Sequence, residues 1–200
     1  MRLLLGTKNW GKIAEIKAIL AEFSHLELLT VHEHPFTEVS EDGETFEENA
    51  RKKARAISQE TGLAVLAEDS GLEVLALGGA PGVRSARFAG AAKDDQANIA
   101  KLLELLTGVT DRRARFRCVA VLSFPDGKEL IGEGTLNGQI ALAPRGSAGF
   151  GYDPVFIPKG YEQTLAELGP AIKNQISHRR RALEALMASS RGSSPREHAR

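Results

Sequence analysis

The stretch from Leu63 to Gly71 constrains the fold most strongly. Its sequence, Leu-Ala-Val-Leu-Ala-Glu-Asp-Ser-Gly, is continuously apolar until two carboxylates, Glu68 and Asp69, appear near its end. A short uninterrupted apolar run is typical of a strand that is buried on both faces of an α/β sheet. Such sheets bind ligands beyond the carboxyl ends of their strands. The pattern therefore predicts a buried strand that ends at an acidic site, with a turn at Ser70 and Gly71.

The acidic pair also has a simpler interpretation. Acidic residues are frequent in solvated turns, and a motif of two residues carries a high risk of a false match. On this stretch alone, an ordinary turn is slightly favoured over a pair of catalytic carboxylates. The choice between the two depends on the rest of the chain.

Composition narrows the class of protein. With 200 residues, 42% of them apolar, the chain is long enough for one cored domain that could form two lobes. The 26 Lys and Arg residues balance 26 Asp and Glu residues, so no global charge attracts nucleic acid and any anion site must be local. A single cysteine, Cys118, suits a reducing cytosol and is best explained as a small buried strand residue. Without a membrane-length apolar run or a signal peptide, we expect a soluble cytoplasmic protein with neither nucleic-acid nor membrane partners.

A polar loop, Gly6–Lys12, joins a first strand to a helix. The helix is indicated by apolar residues at helical spacing, namely Ile13, Ile16, Leu20 and Phe23. Backbone N–H groups at a helix N-terminus favour anions, and this loop adds a hydroxyl, an amide and two lysines. The Walker A spacing is absent. A phosphate-binding loop and an ordinary polar turn are therefore about equally favoured.

Acidic residues cluster ahead of the second predicted helix. Thr45 followed by Glu48 is a capping-box signature, and the helix is expected to stop at Gly62. Capping and the helix dipole explain most of these acids, but Glu41 precedes the cap and is free to coordinate a cation. The basic residues later in the helix are predicted to form a solvated face; they are Lys52, Lys53 and Arg55. Three nearby histidines are predicted to be surface residues without a metal role; they are His25, His32 and His34.

The middle of the chain predicts a mixed sheet. The predicted elements are a short strand at Leu72–Leu77, a helix at Asp94–Leu106, and a hairpin that joins Phe116–Phe124 to Lys128–Gly134 through Pro125-Asp126-Gly127. Because the hairpin is antiparallel, the sheet cannot be wholly parallel. Between these elements, Arg84 and Arg87 could face a ligand or an adjacent subunit.

Two later segments have features of a nucleotide site. Ala148–Pro154 offers aromatic rings that could stack on a base and a carboxylate that could contact its edge, although the rings could instead pack in the core. Lys173–Arg181 is predicted to open the final helix, with Ser177 as its N-cap. Positive side chains oppose the dipole there, so this basic cluster needs an anion to compensate it. We expect a single two-lobed domain over residues 1–188 and a disordered tail over residues 189–200.

Six motifs stand in the order seen in the inosine/xanthosine triphosphate pyrophosphatases, and the chain resembles that family from Leu3 to about Met187. The motifs are Thr7-x-Asn9-x-x-Lys12, Thr45-Phe46-x-Glu48-Asn49-Ala50, Glu68-Asp69-Ser70-Gly71-Leu72, Gly78-Gly79-Ala80-Pro81-Gly82-Val83-x-Ser85-Ala86-Arg87, Phe150-Gly151-Tyr152-Asp153-Pro154 and Ser177-His178-Arg179. Six motifs in order are far more specific than any one of them.

The resemblance implies an α/β fold with a long, curved mixed β-sheet flanked by helices, two lobes around a central active-site cleft, and usually a homodimer. It also implies Mg²⁺-dependent hydrolysis of dITP, ITP, XTP or dXTP to the monophosphate and pyrophosphate. Asp69 would be the general base and a metal ligand, with Glu41 sharing the Mg²⁺. The implied substrate-binding residues are Thr7, Lys8, Asn9, Trp10, Gly11, Lys12, Ser70, Phe150, Gly151, Tyr152, Asp153, Lys173, His178 and Arg179.

Two positions depart from the family pattern. Glu68 stands in a motif often written with two Asp, and Ser40 precedes Glu41 in place of a second acid. The metal shell is therefore less well defined at Glu41 than at Asp69. Two alternatives stay open: a pyrophosphatase for modified pyrimidine nucleotides on a related fold, and a nucleotide-binding module without catalysis.

Overall fold

The computed structural model of the protein describes residues 1–192. The strands are β1 (Arg2–Leu5), β2 (Glu27–Leu29), β3 (Ala64–Val74), β4 (Arg113–Ser123), β5 (Glu129–Ile140) and β6 (Phe156–Pro158). The α-helices are α1 (Trp10–Leu20), α2 (Phe46–Thr61), α3 (Asp95–Leu105), α4 (Leu165–Ile176) and α5 (His178–Gly192). Short 3₁₀ helices cover Leu75–Leu77, Gly82–Arg87 and Asp153–Val155.

The strands form one mixed sheet in the order β2-β1-β3-β4-β5-β6. β2, β1 and β3 are parallel, whereas β3, β4, β5 and β6 pair antiparallel. This confirms the predicted α/β class and mixed sheet, including the β4–β5 hairpin. Helices α1 and α5 pack on one face of the sheet, and α2 packs on the other. No helix within residues 1–192 combines the length and apolar character that a bilayer crossing requires.

Strand β3 differs from the prediction at its carboxyl end. It does not stop at Asp69 or turn at Ser70, and the separate strand expected at Leu72–Leu77 is absent; β3 continues to Val74 and a 3₁₀ helix follows. The reason is that β4 pairs with β3 along this whole length and satisfies its backbone groups. β1 pairs with β3 only as far as Leu66, so the two acids still lie beyond the end of a parallel neighbour.

Side-chain alternation along β3 places its acids on opposite faces of the sheet. Glu68 and Ser70 share a face with Leu66 and Leu72. Leu66 belongs to an apolar cluster with α1 and α5, whereas Leu72 belongs to a second cluster with α3 and α4. Asp69 instead faces α2. The polar positions of β3 therefore lie between two apolar clusters, where a cleft can form.

The C-terminal segment is divided differently from the prediction. Lys173 lies in α4, and α5 begins at His178, where the Ser177 hydroxyl accepts a hydrogen bond from the Arg180 N–H at 3.1 Å. Ser177 is therefore the N-cap of α5, as predicted. α5 continues through Gly192, into the segment that was expected to be disordered from residue 189. The rest of that predicted tail, residues 193–200, lies outside the described residues.

Candidate active site

A cleft opens where β1 ends and β3 continues. Since α1 leaves β1 on one face of the sheet and α2 enters β3 on the other, the chain diverges at this point, which is where open α/β sheets bind ligands. The cleft is lined by most of the residues that the sequence predicted for the site: Asn9, Lys12, Glu41, Asp69, Ser70, Phe150, Gly151, Tyr152, Asp153, Lys173, His178 and Arg179. Thr7 and Lys8 line an adjoining cavity, together with Asn9, Lys12, Glu41 and Lys53.

Two of the predicted binding residues line neither cavity. Trp10 is 59% exposed and stacks on His32, with 4.8 Å between the ring centroids. Gly11 instead packs against Phe150: a Cβ added to Gly11 would lie 2.5 Å from the Phe150 ring. Gly11 therefore allows the start of α1 to approach the aromatic ring closely.

The loop ahead of α1 is held by its own side chains. The Asn9 Oδ1 atom accepts a hydrogen bond from the Lys12 N–H at 3.1 Å, and the Asn9 N–H donates to the Thr7 hydroxyl at 3.1 Å. These contacts fix the helix N-terminus and leave the Lys12 side chain directed to the acids of β3, where its Nζ lies 2.9 Å from Glu68.

A buried network of ion pairs connects the two ends of the cleft. Arg179, which is 1% exposed, pairs with Glu15 and with Glu68 at 3.2 Å, and it also donates to the Ser70 hydroxyl at 3.1 Å. Lys173 pairs with Glu15 at 2.6 Å. Glu68 and Glu15 therefore each hold two cations in place.

These pairs correct the interpretation of the basic cluster at the start of α5. The cluster does not require an external anion, because carboxylates of the protein compensate two of its arginines. Arg179 is paired as described, and Arg180 pairs with Glu22 at 3.0 Å and Glu184 at 2.7 Å. Arg181 donates to the Thr135 carbonyl oxygen.

Lys53 is a site residue that the sequence analysis missed. It is 8% exposed, not solvated as predicted; its Nζ pairs with Glu41 and donates to the Glu68 carbonyl oxygen at 2.8 Å. A signal for this existed in the sequence, since Lys53 lies seven residues after Phe46 and four before Ile57, both of which belong to the apolar face of the helix. Its helical phase therefore predicts a buried position.

Asp69 differs from Glu41 and Asp153, the two cleft carboxylates that pair with lysines. Its Oδ2 accepts a hydrogen bond from the Asn49 amide at 2.9 Å, and its Oδ1 accepts from the Ser70 N–H at 2.9 Å. Within residues 1–192 it forms no salt bridge. Burial raises the pKa of Asp69, and the charge of Glu41 adds to this effect, although Lys53 and Lys12 oppose it. Asp69 is thus a buried cleft carboxylate that is available for a cation or a proton.

Glu68, the neighbour of Asp69, has the opposite electrostatic character. Burial acts to raise its pKa, but Arg179 and Lys12 outweigh that effect and hold the pKa well below its ordinary value. Lys53 has the same effect on Glu41, whose pKa is lowered despite burial. Glu68 is therefore a fixed anion with a structural role in the site, whereas Asp69 is poised for chemistry.

The far end of the cleft is aromatic. The Phe150 ring lies 4.5 Å from the Lys173 Nζ, and His178 stacks on Phe116 with 4.7 Å between ring centroids. Burial lowers the pKa of His178 well below its ordinary value, with Arg179 adding to the effect, and both favour the neutral imidazole. Two buried atoms here, His178 Nδ1 and Arg179 Nε, have no hydrogen-bond partner among the described residues.

The aromatic loop combines both interpretations that the sequence left open. Phe150 is partly exposed at the cleft, whereas Tyr152 is buried in the core and donates its hydroxyl to the Ser85 carbonyl oxygen at 2.7 Å. Asp153 accepts hydrogen bonds from the Phe150 N–H at 3.0 Å and from Lys173 at 2.5 Å. Asp153 therefore stabilises the conformation of the loop, and its carboxylate is already paired with Lys173.

The remaining candidates are placed as follows. Arg87 lines the cleft and donates to the Glu41 carbonyl oxygen at 2.9 Å, whereas Arg84 is exposed outside it. In the part of the chain that the structure describes, no group of three or more His, Cys, Asp or Glu side chains is arranged to hold a metal ion. Of the three histidines predicted at the surface, His25 and His32 are exposed and His34 is half-buried.

The cleft opens beyond the end of β1 in a mixed sheet, and it has lysines at one end and an aromatic ring at the other. These features are those of an α/β nucleotide-binding protein. The chain belongs to the Ham1 family, whose sequence profile matches residues 3–189. The family resemblance inferred from the six motifs is thereby confirmed.

Individual members of the family are similar to this chain over nearly its full length. A dITP/XTP pyrophosphatase from Desulforamulus reducens is 52% identical over 190 residues, which cover 94% of each chain. One from Bacillus licheniformis is 50% identical and covers 93% of this chain and 96% of its own. Among solved structures, the Staphylococcus aureus Ham1 protein superposes with a TM-score of 0.86 at 44% identity, covering 97% of this chain and all of that one.

Proposed function

We propose that this protein hydrolyses non-standard purine nucleoside triphosphates, dITP or ITP and XTP or dXTP, to the monophosphate and pyrophosphate. It is a hydrolase that removes deaminated purines from the nucleotide pool. The full-length similarity to dITP/XTP pyrophosphatases supports this function. The observation that carries it in the structure is Asp69, a buried carboxylate without a basic partner among the described residues, beside the lysines of the loop and of α2.

The lysine-rich end of the cleft suits the phosphates. Lys8, Lys12 and Lys53 line the cavity beside the cleft, and Lys12 also lines the cleft itself together with Asp69. Hydrolysis of a triphosphate is slow chiefly because the phosphates repel a nucleophile, so nearby ammonium groups accelerate it by neutralising charge. Asp69 orients the attacking water and accepts its proton, and its raised pKa makes it a better base than an ordinary aspartate.

The donor set at this end of the cleft fits Mg²⁺. Mg²⁺ is usually bound by one or two carboxylates together with substrate phosphates and water, which agrees with a site that offers Asp69 and Glu41 but no larger acidic group within residues 1–192. Asp69 would be the main ligand, because Glu41 is already paired with Lys53. When bound, the ion would neutralise phosphate charge and polarise the phosphoryl group.

The aromatic end of the cleft suits the base. Phe150 offers a ring for stacking, and the Nε of Arg179 is a buried donor without a partner among the described residues. Hypoxanthine and xanthine present a 6-oxo acceptor where adenine presents an amino group. A site with unpaired donors therefore rejects adenine, since those donors would stay unsatisfied. Guanine shares the 6-oxo group, so its 2-amino group must be the feature that excludes it.

A substrate panel tests the function. Pyrophosphate release with Mg²⁺ is measured from dITP, XTP, dGTP, dATP and dUTP, with and without EDTA. We expect rapid release from dITP and XTP, little from dGTP and dATP, and loss of release with EDTA. Preference for dUTP would favour a pyrimidine pyrophosphatase, and tight dITP binding without turnover would favour a binding module. Orthophosphate as the product would contradict the proposed bond cleavage.

Gly11→Ala tests the base end separately. The added Cβ would meet the Phe150 ring at 2.5 Å, so the ring must move, and we expect kcat/KM for dITP to fall about tenfold, mainly through KM. Helix α1 should keep its stability, because alanine is the better helix former. Phe150→Leu should make room for the added Cβ. The loss of kcat/KM in the double variant should therefore be smaller than the sum of the losses in Gly11→Ala and Phe150→Leu, expressed as free energies. Additive losses would mean that Gly11→Ala does not act through contact with the Phe150 ring.

The homodimer and the cytoplasmic location are also proposals. The homodimer follows from the family resemblance, and the cytoplasmic location from the single cysteine, which suits a reducing compartment. Leu75 (48% exposed) and Tyr161 (37% exposed) line one cavity of mixed polar and apolar character and are candidate contacts for self-association. Light scattering at several concentrations would give the mass of the particle in solution.

A further inference from the structure

The aromatic loop is attached to α3 by one side chain. The Gly151 N–H donates a hydrogen bond to the Asp95 carboxylate at 2.7 Å, and Asp95, the first residue of α3, also lines the cleft. Gly151 has a φ of +60°, a left-handed conformation that glycine adopts without strain. The loop therefore turns at the residue that Asp95 holds.

The two peptide N–H groups around this turn are held differently. Phe150 donates to Asp153 within the loop itself, so that contact moves with the loop. Gly151 donates outside the loop, to α3, and the following residue, Tyr152, bonds the Ser85 carbonyl oxygen in the 3₁₀ helix Gly82–Arg87. Asp95 thus supplies, from outside the loop, a hydrogen bond to the peptide N–H that directly follows Phe150.

The position of that ring is narrowly defined. The ring lies against Gly11, and the Lys173 Nζ is 4.5 Å and the Arg179 guanidinium carbon 5.9 Å from its centroid. A small shift of the loop would change the distance of Phe150 from all three groups. Since these groups form the base end of the cleft, a shift there would alter base selection.

We propose that Asp95 is a positioning residue that sets base specificity by fixing the Gly151 backbone and hence the Phe150 ring. The proposal rests on the proposed function, because it assigns the base to this end of the cleft. It does not make Asp95 a catalytic residue. Its neighbour Asp94 has a different role, since it is the N-cap of α3 and its Oδ1 accepts from the Ala97 N–H at 3.0 Å.

The adjacent acids give a matched pair of variants. In Asp95→Ala we expect kcat/KM for dITP to fall about tenfold through KM, the effect of one charge-assisted hydrogen bond, and the preference for dITP over dGTP to narrow. Asp95→Asn should restore most of both values, because its amide oxygen can accept from Gly151. Asp94→Ala should lower the melting temperature by loss of the cap but leave the dITP:dGTP ratio unchanged.

A second measurement separates this inference from the function on which it rests. Amide hydrogen exchange of Gly151 in the free protein should accelerate in Asp95→Ala and not in Asp94→Ala. Unchanged exchange, or an unchanged dITP:dGTP ratio in Asp95→Ala, would overturn the proposal. If wild type released no pyrophosphate from dITP, the proposed function would fail, and with it the role of Asp95 in specificity, whereas the exchange result would still decide whether Asp95 holds the loop.

Discussion

Asp69→Asn is expected to lower pyrophosphate release by about 10²- to 10⁴-fold, the range for loss of a general base. The substitution removes the negative charge that accepts a proton and ligates the cation but keeps the shape of the side chain. The carboxylate that is lost has no salt bridge within residues 1–192, so no cation in the ion-pair network is left without its partner. Its effect should therefore be confined to catalysis and metal binding.

The stability of this variant provides the check on that argument. Removing a buried charge favours the fold, whereas the amide can accept at only one of the two positions where Asn49 and Ser70 donate. These effects oppose each other, so we expect a change in the free energy of unfolding of no more than about 1 kcal/mol. Asp42→Asn, which removes an exposed acid paired with Lys52, is the matched control and should retain full activity.

The pH dependence follows from the sign of the shift. Because the folded pKa of Asp69 is raised, ionisation of this group disfavours the fold, and its contribution to stability falls as pH rises from the ordinary aspartate pKa through the folded value. In the metal-free protein, Asp69 should likewise titrate at higher pH than an ordinary aspartate, whereas bound Mg²⁺ should lower its pKa. An Asp69→Asn variant that keeps full activity would remove Asp69 from the role of general base.

The predictable parts of the fold are those with local signals. The capping box of α2 forms as its sequence indicates, with the Thr45 hydroxyl accepting from the Glu48 N–H at 3.1 Å. The β4–β5 turn likewise follows from Pro125-Asp126-Gly127, which closes with the Phe124 N–H donating to the Lys128 carbonyl oxygen at 2.9 Å. Such contacts join residues a few positions apart, so neighbouring residues suffice to specify them.

The end of β3 could not be located in the same way. Glu68-Asp69-Ser70-Gly71 has the composition of a turn, and only its pairing with residues 117–120 of β4, about fifty positions later, keeps it extended. Tertiary pairing overrides local propensity here. Asp69 nevertheless lines a cleft beyond the end of the parallel neighbour β1, where the sequence placed the candidate site.

The buried ion pairs were the least predictable feature of the site. Glu15 lies on α1 in no recognisable motif, and its partner Arg179 is 164 positions away. Because the sequence does not reveal that contact, an external anion was the natural partner to predict for the arginine. Lys53 is a different case. Its position in the helical repeat predicts burial, but its charge led to the prediction of a solvated side chain. Charged residues are rarely buried unless they are paired, and pairing is not visible in a single sequence.

Glu68→Gln is expected to destabilise the protein by about 3–5 kcal/mol, the cost of breaking a buried ion pair from one side. The substitution preserves the volume of the side chain but leaves Lys12 without its carboxylate partner and Arg179 with Glu15 alone. For a domain of this size, that loss should lower the melting temperature by roughly 6–20 °C. Asp111→Asn, which removes the acid of an exposed pair with Arg113, is the control and should change the melting temperature little.

The difference between wild type and Glu68→Gln should depend on pH. The folded pKa of Glu68 lies well below its ordinary value, so its contribution to stability is complete above the ordinary glutamate pKa and is lost as pH falls toward the folded value. Melting curves at neutral pH should therefore separate the two proteins most, and the gap should narrow in acid. A large gap that does not change with pH would mean that the lost stability does not come from the charge of Glu68. A gap of only a few degrees at neutral pH would mean that the network formed by Glu68, Lys12 and Arg179 contributes little to folding. In that case the buried charges would be retained only to orient Lys12 and Arg179 toward the substrate.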